Sequence, residues 1–190
     1  MFVDSVASFL IRVLSESWEL LWVPFVMPEI WWVITPLLVL MVITTLYFAE
    51  HPWEKIGWNT ALTNSTVLVF IGIDLLRHIY HYIIPPTLLF FLQYPYRSVI
   101  VLIVMLEGVL LSMTAFRHAI SERWMFFIAS PLIVNTQALV VVILVYSRVR
   151  LTLYTLLAMV VVFFVIYAAF LLLRIIGKRF LLRGTDVVVQ

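Results

Sequence analysis

Five long apolar stretches constrain this chain more than any other feature: Ile30–Glu50, Leu62–Ile83, Ser98–Phe116, Met125–Tyr146 and Leu151–Leu173. Each is close to the ~20 residues a helix needs to cross the hydrocarbon core of a bilayer. Of the 190 residues, 65% are hydrophobic and 12% charged, whereas charged residues make up about 25% of an ordinary soluble domain. This excludes a soluble enzyme, a disordered regulator and a nucleic-acid-binding module. The expected fold is an all-α polytopic membrane bundle, one integral domain over 1–190, with five transmembrane helices between 30 and 173. The expected partners are the lipid bilayer and either further copies of the chain or other membrane subunits.

The N-terminal stretch from Asp4 to Trp22 reads as an amphipathic interfacial helix. Val6, Phe9, Leu10, Val13, Leu14, Leu20 and Leu21 share one face at 100° per residue, and Ser8, Arg12, Ser15, Glu16 and Glu19 the other. Asp4 stands where a signal peptide would carry basic residues. Trp31, Trp32, Trp53, Trp58, Tyr94, Tyr96 and Trp124 flank the spans as an aromatic belt would. Pro85-Pro86 ends the second span; Pro36 and Pro131 predict kinks within the first and fourth. With Gly at only 5 residues, the helices are expected to pack loosely or through large side chains.

Basic residues outside the spans set orientation. Arg12, Arg97, Arg148 and Arg150 lie on the N-terminal side; Lys55, Arg117, Arg123, Arg174, Lys178, Arg179 and Arg183 lie on the other. The excess predicts a multi-pass protein of the cell membrane whose basic tail, 174–190, is cytoplasmic. Thr35-Pro36-Leu37-Leu38-Val39 echoes Ser130-Pro131-Leu132-Ile133-Val134, but a hydroxyl before a span proline is common because it can satisfy a freed backbone group, so no inverted repeat is inferred. Asn64-Ser65-Thr66 has the form of a glycosylation acceptor but sits at a span start on the expected cytoplasmic side.

The informative residues are polar ones inside apolar spans, where an ionised side chain costs about 2.5–3.5 kcal/mol at a helix centre. Around the second span, with Asp74 at 0°, Arg77 falls at roughly −60°, His78 at +40°, and His81 and Thr63 near −20°. One face therefore carries a polar stripe, which faces protein or water rather than lipid. Asp74, Glu107 and the amides Asn135 and Gln137 lie near the midpoints of three consecutive spans and are expected in one layer. On the third span Thr114 and His118 align with Glu107, so a line could run from His78 and His81 through Asp74 and Glu107 to His118.

Three functions fit these residues. The first is proton or small-cation handling through Asp74, Arg77, His78, His81, Glu107, Thr114, His118, Asn135 and Gln137, as a small transporter, channel or subunit of one. The second is a non-catalytic membrane subunit that anchors or assembles a larger complex, the same polar groups acting as a clamp between helices. The third is a metal-dependent membrane enzyme using Asp74, His78 and Glu107, since carboxylate plus imidazole suits Zn, Mn or Fe. The chain has no cysteine and no Gly-rich phosphate loop, GxSxG elbow or HExxH helix. Enzymatic chemistry is thus the least expected of the three, and no cofactor beyond a possible metal is implied.

Overall fold

The computed structural model describes residues 2–51, 53–54, 56–80, 95–147 and 149–185, the side chains of 2–5 and 180–185 aside. The described residues form helices only: α1 (Phe2–Val26), a 3-10 turn (Pro28–Ile30), α2 (Trp31–Glu50), α3 (Trp58–Tyr80), α4 (Pro95–Arg117), the short α5 (Glu122–Ile128), α6 (Pro131–Tyr146) and α7 (Leu153–Thr185). Among the described residues, five helical stretches are long and apolar enough to cross a membrane: Pro28–Glu50, Trp58–Tyr80, Pro95–Arg117, Glu122–Tyr146 and Leu153–Arg179. This fits a multi-pass membrane protein. Pro85-Pro86, Tyr94 and His81 lie outside the described residues.

α6 is the hub. In the Glu122–Tyr146 stretch 72% of the apolar window is buried, against 11–28% in the other four. Nearly every side chain from Val134 to Val145 is enclosed, by α2, α3 and α7. α7 continues unbroken through Arg174, Lys178 and Arg179, so the basic tail starts as helix, and its 33 residues extend about 50 Å at 1.5 Å per residue.

α3 and α4 pair along a close seam. The buried positions of α3 are Ala61, Ser65, Leu68, Gly72, Leu75 and Ile79, an alternating four-three spacing that keeps one stripe facing one neighbour. Buried Ser98, Val101, Val104, Gly108 and Ala115 of α4 face them. A Cβ on Gly108 would lie 2.9 Å from the Ser65 carbonyl oxygen and 2.9 Å from Leu68 Cβ. Gly108 thus sits where two backbones approach, and this pair is closer than the glycine content predicts.

α1 lies across the α6–α7 junction. The Phe9 ring meets the Tyr154 ring at 5.4 Å, the Arg12 guanidinium sits 4.4 Å above the same ring, and Thr155 Oγ1 donates to Glu16 Oε2 at 2.7 Å. Its buried row is Val13, Ser17, Leu20 and Val23, while Leu10, Leu14, Trp18 and Trp22 are exposed. The expected division of faces is therefore rotated: Glu16 turns toward α7, and an apolar row points outward. The reason is that Val13, Glu16, Ser17 and Leu20 follow the i, i+3, i+4, i+7 row, so Glu16 is carried in with its apolar neighbours and Thr155 satisfies it.

Candidate functional site

The α3 seam decides where the polar stripe goes. With Ala61 through Ile79 facing α4 and α6, the opposite side of α3 looks out of the bundle. Thr63, Phe70, Ile73 and Arg77 are exposed there and Asp74 is partly so. Arg77 Nη2 donates to Asp74 Oδ1 at 2.6 Å, and the side chains are 76% and 28% exposed. A paired guanidinium and carboxylate therefore sit on the outer face of a membrane-compatible helix.

The seam also sets relative depth. Gly72 lies against Met105 and Gly108 against Leu68, and Tyr80 Oη donates to Ser98 Oγ at 3.1 Å. By this antiparallel register Glu107 is level with residues 69–70 of α3 and Asp74 with residue 103 of α4. At 1.5 Å per residue the two acids are about 6–7 Å apart in depth. The single expected layer is two layers.

Glu107 belongs to the second. It is half-buried between α4 and α6 and accepts a short hydrogen bond from Gln137 Nε2. Asn135 does not join: two residues along a helix is about 200°, so Asn135 points into the bundle and Gln137 toward α4. Asn135 is 1% and Thr136 0% exposed, and neither the Asn135 amide nor the Thr136 hydroxyl has a hydrogen-bond partner among the described residues.

On the expected lines to the two surfaces, the described residues His78, Thr114 and His118 make local contacts. The His78 ring is stacked on Tyr146, centroids 3.8 Å apart, and His81 is outside the described residues. Thr114 Oγ1 donates to the Leu110 carbonyl at 2.7 Å. His118 ends α4 in the left-handed region, φ 52°, and its ring stacks on Trp58 at 4.1 Å. Among the described residues no three His, Asp or Glu side chains gather as a metal site; of the metal candidates Asp74 is paired with Arg77, His78 stacked on Tyr146 and Glu107 bonded to Gln137.

A feature that residue-by-residue reading missed lies at the start of α6. Pro131 forces Ser130 into extended backbone, ψ 143°, so the span breaks between α5 and α6 rather than kinking. In a continuous helix the Ile133 N–H would reach the Ala129 carbonyl. Here it bonds Ser130 Oγ at 3.4 Å, and Asn64 Nδ2 of α3 donates to the Ala129 carbonyl at 2.8 Å. The sequence signal was Ser-Pro, a helix-start pair; Asn64 had read only as a disfavoured glycosylation acceptor.

At the opposite end from α1, a cavity of about 200 Å³ opens between α2, α6 and α7, with Thr45, Glu54, Ser130, Tyr167 and Arg174 among its walls. Tyr47 Oη donates to Glu54 Oε2 at 2.6 Å, and Arg174 Nη2 donates to the Phe48 carbonyl at 3.3 Å. These side chains are engaged in tying the α2 end to the loop and to α7. In comparisons with known proteins, no family model, no curated protein and no solved structure matches the chain.

Proposed function

We propose that this chain is a non-catalytic membrane subunit that assembles side by side with a second copy of itself through the outer face of α3. The observation that carries the reading is the Asp74–Arg77 pair, 2.6 Å apart and directed out of the bundle. On a face turned to lipid each ionised group would cost about 2.5–3.5 kcal/mol near a helix centre, less near an end. Apolar burial gives helices no reason to associate in lipid, so polar contacts and close packing decide who pairs with whom. Opposite charges three residues apart are self-complementary under a two-fold axis: Asp74 of one copy faces Arg77 of the other, and the reverse.

The test is the mass of the full chain in mild detergent. The wild type is expected at twice the chain mass of 22.1 kDa, and the combined Asp74→Asn and Arg77→Gln protein at the chain mass. A wild-type monomer, or a dimer indifferent to both substitutions, contradicts the reading.

The Glu107–Gln137 bond favours a second reading, proton or small-cation handling at that layer. It predicts a flux in proteoliposomes that Glu107→Gln abolishes; no flux in the wild type removes it.

A further inference from the structure

A second cavity lies at the α1 end of the bundle. It has a volume of about 390 Å³ and is walled by Trp18, Glu19, Trp22, Val23, Val26, Met27 and Ser147. Trp18 and Trp22, one turn apart on α1, present nearly parallel indoles, 18° between planes and centroids 5.9 Å apart. Trp22 in turn meets Phe25 at 4.9 Å. Ser147 is buried in the wall, its hydroxyl donating to the Leu144 carbonyl at 2.7 Å.

Glu19 is the ionisable residue of this wall, and among the described residues it makes no hydrogen bond or ion pair. Its helix neighbour Glu16 is held by Thr155 and Arg12. The guanidinium of Arg97 donates to the Ser147 carbonyl at 2.6 Å, so it is held by the chain's own backbone at the cavity wall. A carboxylate beside two indole faces is the chemistry that recognises an alkylammonium: the ring quadrupoles attract the cation and the carboxylate supplies the counter-charge. A phosphate would meet the Glu19 carboxylate as a like charge.

Size and surroundings identify the bearer of the ammonium. About 390 Å³ falls at the lower end of the roughly 300–1,000 Å³ of small-molecule sites, room for a headgroup and its first carbons but not for two acyl chains. The neighbouring Phe25 and the wall residue Val26 are exposed. A lipid could therefore place its head in the cavity and leave its chains against the outer row of α1.

We infer that the Trp18–Glu19–Trp22 cavity binds the ammonium headgroup of a zwitterionic phospholipid. The test is native mass spectrometry of the full chain released from nanodiscs containing equal amounts of phosphatidylcholine and phosphatidylglycerol. The wild type is expected to retain phosphatidylcholine in preference, and Glu19→Gln to lose that preference by roughly five- to tenfold. Trp22→Leu should act in the same direction, and Phe164→Leu, on the exposed face of α7, should leave the preference unchanged. Retention of both lipids in the supplied ratio by the wild type overturns the inference. So does an undiminished preference in both Glu19→Gln and Trp22→Leu.

Discussion

The side-chain amide of Asn64, on α3, donates at 2.8 Å to the carbonyl of Ala129, at the point where α5 stops and α6 begins. The bond closes a gap that Pro131 opens, because the Ile133 N–H that would have served this carbonyl is taken by Ser130 Oγ. Asn64→Leu fills similar volume and removes the donor. It is expected to destabilise the bundle by about 1–3 kcal/mol, the cost of an unsatisfied buried carbonyl. Thermal unfolding in detergent, followed by circular dichroism, should show a lower Tm; an unchanged Tm would mean that water serves the carbonyl instead.

The two close-packed glycines differ in what surrounds them. A methyl at Gly108 meets the Ser65 backbone oxygen and Leu68 Cβ, which cannot move without shifting α3. A methyl at Gly72 meets chiefly the flexible Met105 side chain, its Cγ first and its Cβ at 3.4 Å. Gly108→Ala is therefore expected to cost about 1–3 kcal/mol, as overpacking does, and Gly72→Ala less. Equal melting losses in the two proteins would contradict the α3–α4 register.

His118 holds α4's end in a left-handed turn, φ 52°, with its N–H on the Ala115 carbonyl and the Ala119 N–H on the Thr114 carbonyl. This is the double bond pattern of a Schellman cap, usually formed at glycine. His118→Val puts a β-branched residue where the left-handed region costs about 1–2 kcal/mol, and should lower Tm. His118→Asn should be tolerated better, since asparagine visits that region. A valine protein as stable as the asparagine one would show that the turn is not held.

The spans were legible in the sequence because twenty consecutive apolar residues have few alternatives. Depth and direction were not. The stripe of Thr63, Asp74 and Arg77 follows from helical geometry, but whether it points inward depends on which opposite face finds a neighbour. That was settled by Ala61, Ser65 and Gly72, small residues that carry no hydrophobic signal of their own. The midplane layer failed for a related reason: span midpoints are set by boundaries, and α3 starts at Trp58, four residues before Leu62. Asn64 and Ala129 are 65 residues apart, and no local pattern announces such a contact.

The Glu107–Gln137 bond can be separated from any role in flux. A double-mutant cycle of Glu107→Gln and Gln137→Leu, read by thermal unfolding, is expected to give a coupling of about 0.6–2 kcal/mol, the range of interhelical hydrogen bonds in membranes. Additive effects would mean that the contact contributes nothing to holding α4 against α6.

The central claim is that the outer face of α3 meets its own copy. The chain has no cysteine, so one introduced thiol reports one contact. Ile73 lies beside Asp74 on that face and is 52% exposed; Phe164, on α7, is 62% exposed. Under mild oxidation in native membranes, Ile73→Cys is expected to give a disulfide-linked dimer and Phe164→Cys to stay monomeric. Adding Arg77→Gln to Ile73→Cys should reduce the dimer severalfold. A monomeric Ile73→Cys, or equal cross-linking at Ile73 and Phe164, would contradict the account.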